Sequence, residues 1–348
     1  MVQTGGGTLN PGLRKAFEED SFQPHPLLGN RHLQTIVPAY FKRPMPDGWP
    51  SARDKVFTLF DESQVSCRCL IRNEASPTLL VLHGMGGSGS SRYIRGLAEK
   101  VLPLGWNLLA PSLYDVSTTG KKPTVFHSGC SRLVEDLLKQ ARKRLGLGSM
   151  FLAGVSMGGN ILLKMIGEWD SSPPPWVLGS AAISPLTDLQ GSSAIMEKPA
   201  TLFYRKRFLR KLRNTMLRDA IRYQNYLDSE KVLQAVTIRE FDEAFTVPLS
   251  GFSSVDEYYG TQSSGPLLGR ISVPTLIIHS LDDPLLTSSA LQDDAARNNP
   301  RLAVCLTEKG GHVGFFSRDS GFSRYWAEAR IFDFLSRLPG KARFPEAP

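Results

Sequence analysis

Much of what this chain could be is excluded by what it has little of. Only four cysteines occur, Cys67, Cys69, Cys130 and Cys305, unevenly spaced along 348 residues. A disulfide-stapled secreted framework needs more of them in pairs, and the lone Cys-x-Cys lacks the second ligand pair of a zinc site. Reduced thiols and no metal are therefore expected. No apolar run approaches the roughly 20 residues that cross a bilayer as a helix. The opening Met1-Val2-Gln3-Thr4-Gly5-Gly6-Gly7 lacks the charged flank and apolar stretch of a secretion signal, which makes a cytoplasmic location the expectation. The net charge of +8 is moderate and comes without a nucleic-acid reading motif, so nucleic acid is not an expected partner. There is no internal repeat. Histidines number six, few enough to examine one by one.

What is present is one sharp motif. Gly154-Val155-Ser156-Met157-Gly158 follows the apolar Met150-Phe151-Leu152-Ala153 and leads into Asn160-Ile161-Leu162-Leu163-Lys164-Met165, placing G-x-S-x-G where a strand turns into a helix. The flanking glycines remove Cβ atoms that would clash in so tight a turn, and the strained serine projects its hydroxyl from the sheet edge. Ser156 is the candidate nucleophile. The plainer reading is a glycine-rich turn with an incidental serine. A hydroxyl is a poor nucleophile at neutral pH and needs an imidazole to take its proton and a carboxylate to orient that imidazole.

With this motif the chain order is serine, acid, histidine. Of His25, His32, His83, His127, His279 and His312, only the last two follow Ser156. His279 ends the apolar strand Thr275-Leu276-Ile277-Ile278, directly before Ser280-Leu281-Asp282-Asp283-Pro284, a strand-end loop where an acid belongs. The base must come after the acid, which leaves His312 in Lys309-Gly310-Gly311-His312-Val313-Gly314. Two aspartates compete for the acid. Asp283, immediately before Pro284, is preferred, with Asp282 as the alternative; if neither serves, both simply cap the turn.

The oxyanion of an acyl-transfer transition state needs donors as well. The backbone N–H of Met157, just after the nucleophile, is the first, and the N–H of Met85 in the loop His83-Gly84-Met85-Gly86-Gly87 after Thr78-Leu79-Leu80-Val81-Leu82 is the second. That loop is not a phosphate cradle, since no Lys-Ser or Lys-Thr follows, and its glycines miss the G-x-G-x-x-G spacing of a dinucleotide site. No cofactor is expected.

An ordered set of motifs accompanies these residues: Asn30-Arg31-His32-Leu33-Gln34-Thr35, His83-Gly84-Met85-Gly86-Gly87-Ser88, His127-Ser128-Gly129, Gly154 to Asn160, Ile238-Arg239-Glu240-Phe241-Asp242, Asp282-Asp283-Pro284 and Gly310-Gly311-His312-Val313-Gly314-Phe315. In this the chain resembles the YheT-like branch of the α/β-hydrolases, whose eukaryotic members include membrane-anchored abhydrolase proteins acting on lipids. The resemblance implies a serine carboxylesterase or lipid-acyl hydrolase and places nucleophile, acid and base on Ser156, Asp283 and His312. One segment departs from it: where relatives carry an Arg-Gly-Cys-Gly-like stretch after the third core strand, this chain reads Pro111-Ser112-Leu113-Tyr114-Asp115-Val116.

The elements alternate as a parallel sheet requires. Val56 to Ile71 reads as lead-in antiparallel strands, Tyr93 to Leu102 as a helix, Trp106 to Ala110 as a strand, Ser131 to Leu145 as an amphipathic helix and Trp176 to Ile183 as a strand. The expected fold is an α/β-hydrolase fold, a mostly parallel central sheet flanked by helices, with an inserted helical cap. Residues 1–55 read as an irregular arm, 56–184 and 270–340 as the two parts of the core, 185–269 as the cap and 341–348 as a tail. Within the cap, Tyr204-Arg205-Lys206-Arg207-Phe208-Leu209-Arg210-Lys211-Leu212-Arg213 surrounds an apolar stripe of Phe203, Leu209, Leu212 and Met216 with cations. Such a helix is either a solvated face or a transient contact for anionic lipid. The expected activity is cleavage of short- to medium-chain acyl or lipid esters through an acyl-enzyme. Thioesterase and lactonase activities share the triad, and a binding protein without catalysis on the same scaffold is the alternative of another class.

Overall fold

Eight segments, most of them short and apolar, condense into one sheet: β1 (Arg53–Thr58), β2 (Ser63–Leu70), β3 (Thr78–Leu82), β4 (Asn107–Thr118), β5 (Met150–Val155), β6 (Val177–Ile183), β7 (Thr275–Ser280) and β8 (Leu302–Thr307). Their order is β1-β2-β4-β3-β5-β6-β7-β8. The lead-in strands β1 and β2 run antiparallel to their neighbours, and β4 through β8 are parallel. The computed structural model describes residues 9–19, 21–41, 43, 45–118, 124–218, 223, 225–319 and 324–339, with the side chains of 114–118 excepted. The opening Met1 to Gly7 and the tail 341–348 lie outside the described residues.

Every residue of β3, β5 and β7 is buried, as strands covered on both faces must be. Successive side chains alternate between the faces: Leu79 and Val81 pack with Phe151, Ile278 and Phe334, while Leu80 and Leu82 pack with Leu152, Ile161 and Ile277.

The N-terminal arm is not irregular. It contains two helices, α1 (Pro11–Glu18) and α2 (Arg31–Tyr40). Its proline and glycine content suggested otherwise, but Asn10 and Asn30 are N-caps whose Oδ1 atoms accept from Gly12 N–H (2.9 Å) and His32 N–H (2.8 Å), and Pro11 opens α1 where its missing N–H does no harm. Further on, α3 (Arg92–Val101), α4 (Ser131–Leu145) and α5 (Met157–Glu168) cover the sheet, α4 with the limits its amphipathic pattern implied.

Strand β4 runs well past the expected Ala110. Pro111 reads as a terminator, yet it sits at a register break with β2, where Cys67 pairs with Pro111 and Val65 with Val116. A proline is tolerated at such a bulge. Between β6 and β7 the described residues form helices and turns: α6 (Leu189–Met196), α7 (Leu202–Arg218), α8 (Ser229–Gln234), α9 (Ile238–Phe241), a π-helical turn Asp242–Thr246, α10 (Val247–Ser250) and α11 (Val255–Gln262). The loops after β3, β5, β6, β7 and β8 leave from the carboxyl ends of parallel strands, where such sheets gather their ligand-facing residues.

Candidate active site

Ser156 stands between the last residue of β5 and the first of α5 with φ 56° and ψ −119°, a conformation that a residue with a Cβ adopts only under strain. Its surroundings hold it there. Ser156 N–H donates to the Ile183 carbonyl (2.9 Å), and its own carbonyl accepts from Asn160 N–H (3.1 Å) and Leu186 N–H (3.2 Å). The turn is so tight that a Cβ on Gly154 would lie 2.5 Å from the Gly158 carbonyl oxygen, and one on Gly158 would lie 2.4 Å from that of Leu82. Asn160, fully buried one turn into α5, donates through Nδ2 to the carbonyls of Ser128 (2.8 Å) and Gln262 (2.9 Å) and accepts from Ser264 N–H (2.9 Å). It ties the elbow helix to the segment before α4 and to the end of α11.

The three residues selected from chain order meet. His312 Nε2 is 3.0 Å from Ser156 Oγ, and His312 Nδ1 is 2.8 Å from Asp283 Oδ2. Asp283 Oδ1 accepts from the N–H groups of Leu285 (2.8 Å) and Leu286 (3.1 Å). Burial pushes the Asp283 carboxyl up, but the adjoining His312, His279 and the Leu285 N–H outweigh it, and the net displacement is downward. Asp283 is thus ionised at neutral pH. Asp282 takes a different part: its Oδ1 accepts from Gly311 N–H (2.9 Å) and from the Ser280 hydroxyl, bracing the histidine loop rather than the imidazole.

Four of the other histidines have partners away from the triad residues. His83 Nε2 accepts from Leu113 N–H (2.9 Å), so its Nδ1 donates to the Gly84 carbonyl (2.8 Å). His127 Nδ1 accepts from Gly129 N–H (3.1 Å). Burial pushes both rings down to about 4, leaving them neutral. His279 is also fully enclosed, and burial displaces it downward. His25 caps a short turn, and His32 stacks on Tyr204 with Nδ1 3.1 Å from the phenol oxygen.

Two residues of the site carried no assigned role in the sequence, although both lie in the Asn30–Thr35 motif. Thr35 Oγ1 accepts the His312 N–H (2.9 Å). Gln34, with no exposed surface, pairs its amide with the backbone of Phe316 in both directions, Phe316 N–H to Oε1 (2.8 Å) and Nε2 to the Phe316 carbonyl (3.0 Å). Helix α2 lies so close that a Cβ on Gly314 would come within 1.8 Å of the Gln34 carbonyl oxygen. From the other side, Ser184 Oγ accepts the Val313 N–H (3.1 Å). The Gln34→Ala protein is expected to lose about 1–3 kcal/mol of stability, because two buried backbone groups are left unpaired. An unchanged midpoint in urea denaturation would show that Gln34 does not hold this loop.

Space for a ligand opens on two sides of Ser156. An open cleft of about 510 Å³ is bordered by Tyr40, Arg92, Phe203, Tyr204, Arg207 and Lys211 as well as by Ser156 and His312. Inward, a cavity of about 70 Å³ is shared by Ser156, His312, Met85 and Met157 with the apolar side chains of Leu189 and Met196. The two expected oxyanion residues thus share a wall with Ser156. The basic helix α7 is tied down more than a solvated face would be: Lys211 donates to the Gly86 carbonyl (3.1 Å), Arg213 to that of Ala235, and Arg207 lies 5.4 Å from the Tyr40 ring centre. Of its expected apolar stripe, Leu209 and Met216 are buried, but Phe203 is 59% exposed. Tyr204 takes the inward place beside His32, leaving Phe203 at the mouth of the cleft.

The profile of the alpha/beta hydrolase fold family matches residues 77–319, a span that contains Ser156, Asp283 and His312. The protein named as the esterase YheT of Escherichia coli (strain K12) is 29% identical over 323 residues, 88% of this chain and 90% of that protein. Phospholipase ABHD3 of Homo sapiens is 30% identical over 261 residues, 71% of this chain but 60% of its own length. Monoacylglycerol lipase of Saccharomyces cerevisiae (strain ATCC 204508 / S288c) is 27% identical over 271 residues, 74% of this chain and 58% of that protein. Among solved structures, the Pyrococcus furiosus esterase Pf2001 shares the fold with a TM-score of 0.55 at 18% identity, over 86% of this chain and 99% of that one. Fold and relatives together define a carboxylic ester hydrolase. The chain belongs to the α/β-hydrolase family, in its YheT-like branch. No helix among the described residues is long and apolar enough to cross a membrane.

Proposed function

We propose that this enzyme cleaves short- to medium-chain acyl or lipid esters by two-step acyl transfer through Ser156, His312 and Asp283. The observation that carries the reading is the continuous line from Ser156 Oγ through both ring nitrogens of His312 to Asp283, at 3.0 and 2.8 Å. His312 Nε2 takes the hydroxyl proton as Ser156 attacks the ester carbonyl, and Asp283 stabilises the imidazolium that forms. The N–H groups of Met85 and Met157 receive the oxyanion. Collapse of the tetrahedral intermediate expels the alcohol, which takes the proton back from His312. Water then repeats the sequence on the acyl-enzyme and releases the acid.

In this reading the inner cavity takes the acyl group and the open cleft takes the alcohol. Residues 185–269 act as the cap, inserted between core segments 56–184 and 270–340. Phe203, Lys206 and Arg210, exposed along α7, face an anionic lipid surface from which such substrates come. The names of the relatives, which include esterase, phospholipase and monoacylglycerol lipase, support an ester or lipid substrate.

Hydrolysis of p-nitrophenyl esters from acetate to palmitate tests the proposal. Turnover with an optimum at short to medium chains is expected. Folded protein that turns over none of them would move the assignment to a specialised thioester or lactone, or to ligand binding without catalysis.

A further inference from the structure

The inner cavity has a polar wall that acyl transfer does not use. Asp242 lines it, and lines as well a neighbouring cavity of about 60 Å³ that also shares Met85 and Met157. The residue closes the Ile238–Asp242 motif and opens the π-helical turn Asp242–Thr246, an irregularity that occurs most often where function requires it. Its Oδ1 accepts from the Thr246 hydroxyl (2.6 Å) and its Oδ2 from the Tyr259 hydroxyl (2.9 Å). A carboxyl group has about four acceptor positions, so two remain unused. No cation is paired with it among the described residues. Burial pushes it up to about 6, against the pull of Thr246 and Tyr259. Ser192, which lines the same cavity, is 3% exposed, and its enclosed hydroxyl has no hydrogen-bond partner among the described residues. A buried hydroxyl without a partner weakens a fold, and an apolar side chain would fill its place without that penalty.

We propose that Asp242 and Ser192, with Tyr259 behind them, form a subsite for a hydroxyl group on the acyl chain, so that the enzyme selects hydroxyacyl esters over plain chains of equal length. This rests on the reading of Ser156 as nucleophile and of the inner cavity as the acyl side. A substrate hydroxyl donates to an unused lone pair of Asp242 and accepts from Ser192 Oγ, satisfying both groups at once. A methyl group in the same position strips both of water and pairs neither. Sites built to bond a substrate hydroxyl discriminate strongly against the analogue that lacks it. The small volume argues against a bulky cation at this wall.

Ethyl esters of four- to ten-carbon acids, plain, with a terminal hydroxyl or with a terminal amine, provide the test, with acid release followed in a pH-stat for the full chain. At the chain length that reaches the wall, kcat/KM for the hydroxy ester should exceed that of the plain ester by at least about 10-fold. Ser192→Ala and Asp242→Asn should each bring that ratio toward one. Ser192→Ala breaks no side-chain hydrogen bond among the described residues and keeps the test valid if Asp242→Asn does not fold. Plain esters turned over as well as hydroxy esters at every length, a ratio unchanged in both variants, or a preference for the amine would overturn the subsite alone. No hydrolysis of any ester would overturn the acyl-transfer reading and this subsite with it.

Discussion

The Ser156→Ala protein should fold as the parent does and lose about 10⁶-fold in kcat on any ester the parent accepts, with substrate affinity largely kept. In the proposed mechanism His312 and Asp283 have no function without a hydroxyl to activate: the three groups act as a unit, and removing Ser156 Oγ forfeits nearly the whole gain. The oxyanion donors remain, so a residue of catalysis over water, roughly 10³-fold, is expected to persist. A companion variant separates chemistry from strain. Ser156 holds φ 56° only because its neighbours impose it, and alanine retains that strain, whereas Ser156→Gly relieves it and should raise stability by about 1 kcal/mol while abolishing activity equally. Paired measurements of kcat on a p-nitrophenyl ester and of the urea midpoint check both halves. Retained turnover in Ser156→Ala, or a Ser156→Gly protein less stable than Ser156→Ala, would contradict the assigned role of the elbow.

The parts legible in the sequence were those governed by local rules. Apolar runs announced β3, β5 and β7, and the 3.6-residue period of Ser131 to Leu145 gave α4 its limits. The residues of the proposed triad were picked by chain order, which leaves few histidines to choose from, and the structure brings the chosen three within hydrogen-bond distance. Residues that act through tertiary contact were not legible. Gln34 lies 282 positions from Phe316, and nothing local to helix α2 foretells that its amide closes on that backbone. The motif Asn30–Thr35 announced itself as a pattern without revealing a partner. Asp242 is similar: its surroundings, Thr246 on its own π turn apart, come from α6 and α11, and its place on the cavity wall exists only once those helices pack. Strand β4 outran its expected end at Ala110 for a related reason: only the register break opposite β2 makes room for Pro111 inside a strand. The irregular arm was a misreading of composition, since two asparagine caps outweighed the surrounding prolines and glycines.

Asp283→Asn should leave the fold intact and lower kcat by about 10⁴-fold, and the direction of the defect follows from which oxygen is already engaged. Oδ1 of Asp283 accepts two backbone N–H groups, from Leu285 and Leu286, while Oδ2 faces His312 Nδ1. In the asparagine variant those N–H groups select the carbonyl oxygen for the Oδ1 position, which turns the amide NH₂ toward His312. Nδ1 must then accept, so the ring proton moves to Nε2, the atom that has to receive the serine proton. The imidazole is held in place but in the wrong tautomer. Asp282→Asn makes the control, because an amide oxygen in the Oδ1 position can still accept both the Gly311 N–H and the Ser280 hydroxyl; it should retain kcat within about 10-fold and lose no more than about 1 kcal/mol of stability as those bonds lose their charge assistance. The Asp283 variant also has a signature on the acid side. Asp283 is displaced downward in the folded protein, so the stability it adds is present above the ordinary carboxylate value of about 3.9 and is lost as pH falls through the lower folded value. The difference in urea midpoint between parent and Asp283→Asn should therefore narrow from pH 5 toward pH 3, whereas equal kcat losses in the two asparagine variants would mean that Asp283 does not orient the imidazole.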